Sequence, residues 1–426
     1  MNIIVVIISV FFVLVLLGFP IAFSMGIAGA ATIMTVATNI PLLVIPQRVF
    51  AAMDSFSLMA IPFFILAGEL MNGGGITKSI IRFSDSLIGH VKGGLAHVNV
   101  LASMLFAGLS GSAAADASSI GAMLIPAMED DGYTPEFSVA VTAASACIGP
   151  IIPPSICAIV YSSMSGLSVA ALFMGGIIPG ILIGLSQMAL IVYYAKRDNF
   201  HTSPWRGFRH VYKTFVEAIP AMIMPLIILG GILSGIFSPT EAGVVACIYG
   251  MIVGFLKKNL TWKKLPEIFV NAAITAGTTM IVIGFAQVLS WMLTRGSFAE
   301  ILCNGVLSLT DNKQMIFILL LVGMFILGFF IDTTALLILA VPVVAPIIAA
   351  VGIDSYHFAN LAIIMAIMGA CTPPVGVLLF ICCGIAKIPV MKGAKALTPF
   401  LTVMFILILI LSFIPAAVTG IPSLLG

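Results

Sequence analysis

Two short stretches place glycine and proline where an apolar helix tolerates them least: 149–155 (GPIIPPS) and 369–375 (GACTPPV). Proline lacks a backbone N–H, and its ring clashes with the carbonyl four residues earlier, so each stretch breaks a helix and frees a carbonyl. A freed carbonyl can hold a cation, and the half-helix that resumes beyond the break presents its amino terminus to an anion. Each break has a polar companion upstream. The first, 108–121 (GLSGSAAADASSIG), offers the hydroxyls of Ser110, Ser112, Ser118 and Ser119, with Asp116 as its one charge; the second, 328–337 (GFFIDTTALL), offers Asp332, Thr333 and Thr334. These hard oxygen donors, with no thiolate or imidazole among them, suit an alkali or alkaline-earth cation, and so few carboxylates suit Na+ better than Ca2+. The chemistry on offer is reversible binding of a small cation beside an anion.

The elements that must position these residues cross a membrane. The 426 residues are 61% hydrophobic and 8% charged, with a mean hydropathy of +1.24, against roughly 25% charged residues in a soluble globular chain. Stretches 2–17, 21–39, 56–72, 168–194, 217–236, 240–256 and 398–416 each offer roughly the apolar length that crosses a ~30 Å hydrocarbon core. The strongly polar stretch is 195–215. The first residues lack a basic leader and a small-residue cleavage site, so they read as a first span and not as a removable signal. The seven cysteines lie mostly in apolar runs without metal-ligand spacing, as structural thiols do. The five histidines are dispersed. In lipid every backbone N–H and C=O must find a partner, so non-helical backbone survives only where protein surrounds it or it lines a polar cavity.

An internal repeat sets the architecture. Adding 220 to the residue number carries Gly108 to Gly328, Pro126 to Pro346, Gly132 to Gly352, Gly149 to Gly369, Pro153 to Pro373 and Pro154 to Pro374 without a gap; further upstream an offset of 217 aligns 18–26 with 235–243. A period this long means two halves of one fold and not a solenoid. We expect an all-α polytopic membrane protein with a first repeat over 1–195 (hairpin 98–128, broken helix 138–166), a cytoplasmic linker at 196–215, and a second repeat over 216–426 (hairpin 315–348, broken helix 358–384). Basic residues gather at 196–213, at 257–264 and at Lys387, Lys392 and Lys395, with a weaker group of Lys78, Arg82 and Lys92; positive charge collects on the cytoplasmic side. If each hairpin dips in and returns, each half makes five crossings, an odd number that inverts the second half. Both termini then face outward. Inverted repeats with discontinuous helices near the midplane are the architecture of secondary transporters.

Several residues carry two readings. The small side chains at the hairpins also allow close helix packing. Glu69 and Glu241 lie near span ends, where a hydrated structural role stands beside a functional one. Arg295, in WMLTRGSF, is either a carboxylate fork or an anchor beside Trp291. The GLSG at 108–111 satisfies a serine-protease pattern, but no histidine lies inside an expected span to act as base. A passive channel is a further alternative, against which the paired breaks favour alternating access.

GLSGSAAADASSIG with GPIIPPS, and GFFIDTT with GACTPPVG, together resemble the large membrane subunit of tripartite ATP-independent periplasmic (TRAP) transporters, over essentially the whole chain. The resemblance implies an elevator-type transporter in a bacterial or archaeal inner membrane that takes up an organic acid anion, such as a sialic acid or a C4-dicarboxylate, with Na+. It implies two partners, a small four-helix membrane subunit and a soluble periplasmic binding protein, and no nucleic acid. An ordinary Na+/organic-anion symporter without a binding protein is the alternative on the same scaffold. Carried onto this chain, Na+ lies near Ser110, Ser112, Gly149 and Pro153 on one side and near Gly328, Thr333, Gly369 and Thr372 on the other. Substrate contacts Ser112, Ser155, Asp332 and Arg295. The halves differ where Ser155 is matched by Val375.

Overall fold

A computed structural model describes residues 3–198, 200, 202 and 204–425; residues 199, 201 and 203 of the polar linker lie outside the described residues. Among the described residues every regular element is helical. The first half runs α1 (Ile3–Leu16), α2 (Ile21–Thr35), α3 (Val44–Met53), α4 (Ala60–Gly73), α5 (Ile76–Ile88), α6 (Gly94–Ser110), α7 (Ala113–Asp130), α8 (Pro135–Ala146), α9 (Ile156–Ser165) and α10 (Val169–Arg197). The second runs α11 (Phe208–Leu233), α12 (Pro239–Leu256), α13 (Leu265–Arg295), α14 (Phe298–Leu309), α15 (Lys313–Gly328), α16 (Thr333–Val351), α17 (Ser355–Ala370), α18 (Val377–Ala386) and α19 (Val390–Leu411), followed by two single turns.

Six described helices, α10, α11, α12, α13, α16 and α19, are long and apolar enough to cross a membrane. Three stretches expected as spans are shorter: α1, α2 and α4 have 14, 15 and 14 residues, about 21 Å of helix each. Local chemistry ends them early. Gly18 at φ +85° and Pro20 close α1 and open α2, and the stretch through α3 and α4 is divided at Asp54–Met59, where its counterpart α13 runs unbroken for 31 residues.

Glycines and caps make the interruptions. Gly111, at φ +58°, ends α6, and Ser112, the next residue, caps the start of α7. The segment 147–155 separates α8 from α9, and 371–376 separates α17 from α18; the Pro153–Pro154 and Pro373–Pro374 bonds are both cis. The paired helices α6–α7 and α15–α16 each pack on themselves and on the first half of the neighbouring broken helix, α8 and α17 respectively. The second halves exchange partners: α9 packs on α16 and α18 on α7. Around this centre α4 packs on α12, α2 on α13, and α10 on α19.

The basic segments share one end of the molecule. Lys257 Nζ donates to the Glu217 carbonyl at 2.9 Å and Asn259 to the Gly74 carbonyl at 2.9 Å, Arg206 pairs with Asp85 at 3.8 Å, and Lys392 pairs with Glu136 at 3.8 Å, next to Phe137, whose ring meets Phe200. Near the other end, Gly296 lies against Ile4 and Gln314 bonds Ser412, so both ends of the described chain lie away from the basic clusters.

The second half's hairpin and broken helix meet backbone to backbone at two glycines. A Cβ on Gly369 would lie 2.7 Å from the Gly328 Cα, and one on Gly328 would lie 2.8 Å from the Gly369 Cα. Gly323, one turn earlier on α15, has open space around it. Gly369→Ala is therefore expected to destabilise the fold by roughly 1–3 kcal/mol through overpacking, while Gly323→Ala leaves stability unchanged or raised. Thermal unfolding of both variants in detergent checks this; equal melting temperatures would remove the contact.

Candidate functional site

At the first junction, the α6–α7 turn sits on the break between α8 and α9. A side chain at Gly111 would meet the Pro154 carbonyl at 2.6 Å, so glycine is required for that approach. The Ser110 hydroxyl donates to Asp116 Oδ1 and accepts from the Ser112 N–H at 3.2 Å. Asp116 is wholly buried, and its Oδ2 has no partner. It occupies the space left by Gly149, where any side chain would collide with Oδ2. A buried carboxylate oxygen left unpaired is costly. The Gly149 carbonyl points to the same economy, because Pro153, four residues on, has no N–H to give it. Ser155 caps α9 by accepting from the Ala158 N–H at 3.1 Å and donates to the Pro150 carbonyl.

At the second junction Val375 N–H donates to the Phe329 carbonyl at 3.1 Å, tying the second break to the end of α15. Asp332 is the N-cap of α16, its Oδ2 accepting from the Thr334 N–H at 3.0 Å. Thr333 is buried beside it, and Thr372 Oγ1 turns back to the Met368 carbonyl at 2.9 Å. Gly328 and Gly369 bring α15 and α17 together at this junction. Val375, opposite Ser155, has no hydroxyl with which to cap α18; Gly376 at φ +41° precedes that helix.

Between the junctions lies a cavity of about 220 Å³. Its wall includes the first residues of four helices: Ala113 and Ala114 of α7, Ile156 and Cys157 of α9, Thr333 and Thr334 of α16, and Val377 and Leu378 of α18. Each helix amino terminus carries about half a positive charge and unpaired N–H groups. Four of them on one cavity give it the partial positive charge that suits an anion. Asp332 and Asp116, in the first turns of α16 and α7, place negative charge against two of these ends.

The sequence-derived residues divide by place. Ser112, Asp332 and Thr333 line the cavity. Ser155 lies buried at its edge, immediately before Ile156. Ser110, Gly149 and Pro153 stand at the first junction and Gly328, Gly369 and Thr372 at the second. Arg295 is elsewhere: it ends α13 with its guanidinium 5.8 Å from the Trp291 ring, which Arg48 also faces at 4.8 Å. Glu241 completes a capping box with Ser238 at the start of α12, the structural of its two readings. Glu69 lines a smaller adjoining cavity of about 80 Å³ with Asn72, Ser118 and Ser119, and Asn72 donates to Ser119 Oγ at 3.0 Å between α4 and α7. Sequence reasoning missed Thr275 and Thr279 of α13 and Ile65 of α4, which close the cavity. The threonines in ITAGTT, polar in mid-span, were the available signal.

Asp332→Ala removes the α16 cap and is expected to cost about 1 kcal/mol of stability, which Asp332→Asn mostly restores because asparagine caps as well. Melting temperatures of the three proteins check this, and identical values would show that the cap carries no weight.

The family described as the tripartite ATP-independent periplasmic transporter, DctM component, matches residues 8–417. The sialic acid TRAP transporter large permease protein SiaM of Vibrio cholerae is 36% identical over 409 residues, covering 96% of this chain and 95% of that one. The 2,3-diketo-L-gulonate TRAP transporter large permease protein YiaN of Escherichia coli is 36% identical over 400 residues, 94% of each. Among solved structures, the Alcanivorax borkumensis YdaH transporter shares the fold, with a TM-score of 0.63, 13% identity and 90% of each chain covered. The chain thus belongs to the DctM component family of TRAP transporters and is a multi-pass inner-membrane transport subunit.

Proposed function

We propose that this chain carries an organic acid anion across the inner membrane together with Na+, receiving it from a soluble periplasmic binding protein and working beside a small four-helix membrane subunit. The observation that carries the reading is the convergence of four helix amino termini on one cavity, with oxygen-rich junctions on either side. Sialic acid and 2,3-diketo-L-gulonate, named for two relatives, both bear a carboxylate, and a C4-dicarboxylate belongs to the same class.

Na+ fits the first junction through Asp116, whose free Oδ2 faces Gly149, with Ser110, Ser112 and the Gly149 and Pro153 carbonyls as neighbours. It fits the second through neutral oxygens of Gly328, Thr333, Gly369 and Thr372. Electrostatics then couples the two solutes. The four termini together supply about two positive charges, and Asp116 and Asp332 offset them. A cation at each junction restores the positive balance, so the anion binds well only when Na+ is present. Ser112 and Asp332 face the anion, with Ser155 behind; Arg295 meets it only on the way in.

The matched helices and the exchange of α9 and α18 between halves support two inverted repeats. In this reading the hairpins and broken helices move as an elevator against a frame built from α2, α4, α12 and α13. The basic end faces the cytoplasm, and both termini face the periplasm. The driving force suffices: each Na+ down a tenfold gradient supplies about 1.4 kcal/mol, and one net charge through ~100 mV supplies about 2.3 kcal/mol. Two Na+ with a monovalent anion give roughly 5 kcal/mol, near 4,000-fold accumulation.

Uptake of labelled organic acids into proteoliposomes holding this chain and its small subunit tests the reading. Uptake should require both an inward Na+ gradient and the binding protein. Accumulation without binding protein would make the chain a stand-alone symporter. Asp332→Ala should abolish uptake with the protein still folded, and Asp116→Asn should raise the Na+ concentration for half-maximal uptake roughly tenfold, the scale of one charge-assisted contact. An unchanged Na+ dependence in Asp116→Asn would move the cation elsewhere.

A further inference from the structure

We propose that the crevice between the α5–α6 joint and the last turns of α10 is a binding site for an anionic phospholipid. The crevice encloses about 370 Å³, within the ~300–1,000 Å³ of small-molecule sites. Val91, Met188 and Val192 form an apolar wall, while Lys92, Lys196 and His97 supply its polar groups.

Charge identifies the occupant. At this end of the molecule Arg82 pairs with Glu217, Arg206 with Asp85, Arg197 with Asp198 and Lys392 with Glu136. Among the described residues Lys92 and Lys196 have no carboxylate partner, although both border the same crevice. His97 is 6% exposed and borders the crevice, and among the described residues no hydrogen bond engages its ring. Two ammonium groups without a counter-ion, beside an imidazole able to donate one hydrogen bond, call for a phosphate. The wall calls for something more. Val91 and Val192, 37% and 43% exposed, flank the basic groups at the end of a membrane-length helix, so the same ligand that brings the phosphate also covers apolar surface. Free phosphate leaves that wall bare, and a zwitterionic lipid brings no net charge to the lysines. Basic pockets between helices near the membrane surface bind anionic headgroups for this reason.

The site borders a joint. Gly89, Gly93 at φ +76° and Gly94 link surface helix α5 to α6, which carries Ser110 at its far end. A lipid here fastens that joint to α10. The inference does not depend on the identity of the transported solute or on Na+.

Native mass spectrometry of the full chain in detergent, with added phosphatidylglycerol, phosphatidylcholine or inorganic phosphate, tests it. Phosphatidylglycerol should bind in preference to the other two. The Lys92→Ala/Lys196→Ala variant should weaken that binding roughly tenfold, and Lys263→Ala/Lys264→Ala, which removes two cations at the same end, should not. Phosphatidylglycerol carrying a photoreactive acyl chain should label segments 88–97 and 188–196 in the unmodified protein. Equal loss in both double variants, equal binding of phosphatidylcholine or of phosphate alone, or labelling elsewhere would each overturn the assignment.

Discussion

The structure turns on backbone that leaves the helix inside an apolar helical bundle. Each peptide group without a partner there costs several kcal/mol, so the four interruptions cannot be scattered. They meet instead. The α6–α7 turn lies on the α8–α9 break through Gly111, and the α15–α16 turn lies on the α17–α18 break through Gly328 and Gly369. Serine and aspartate caps take up part of the loose hydrogen bonding. The first turns of α7, α9, α16 and α18 face one cavity, and α4 and α13 enclose it with Ile65, Thr275 and Thr279.

The two junctions are alike in backbone and unlike in chemistry. The first has a buried carboxylate, Asp116, with one oxygen bonded to Ser110 and the other facing glycine. The second has its carboxylate at the helix cap, where Asp332 is spent on the Thr334 N–H and borders the cavity itself. Ser155 caps α9, but α18 begins after a glycine, which leaves its first N–H groups more open to a ligand. The cavity is therefore polarised, with hydroxyl caps on one wall and a bare amino terminus on the other.

Much of this was legible in the residues. The Gly and Pro of the 220-residue register fall at or near the ends of α6, α8, α15 and α17 because they act locally, through φ and the missing N–H, whatever surrounds them. Ser112, Asp332 and Thr333 could be named because polar groups in apolar runs are few. Arg295 shows the limit: its charge suited a carboxylate, but α13 is 31 residues long and carries it to the Trp291 end, away from the cavity. The short lengths of α1, α2 and α4 were also obscured, since hydropathy continues through a turn that ends a helix.

By itself the sequence determined the membrane class, the helical elements, the doubled pattern of breaks and the oxygen-donor character of the residues beside them. These follow from composition and from short-range sterics, which a linear pattern records. Only the tertiary structure decided that α9 crosses to α16 and α18 to α7, that Thr275 and Thr279 close the same cavity, that Asp116 keeps one oxygen free against Gly149, and that Lys92 and Lys196 border one crevice. Those are meetings between groups tens to hundreds of residues apart, set by how whole helix surfaces pack, and no local feature of the chain encodes them.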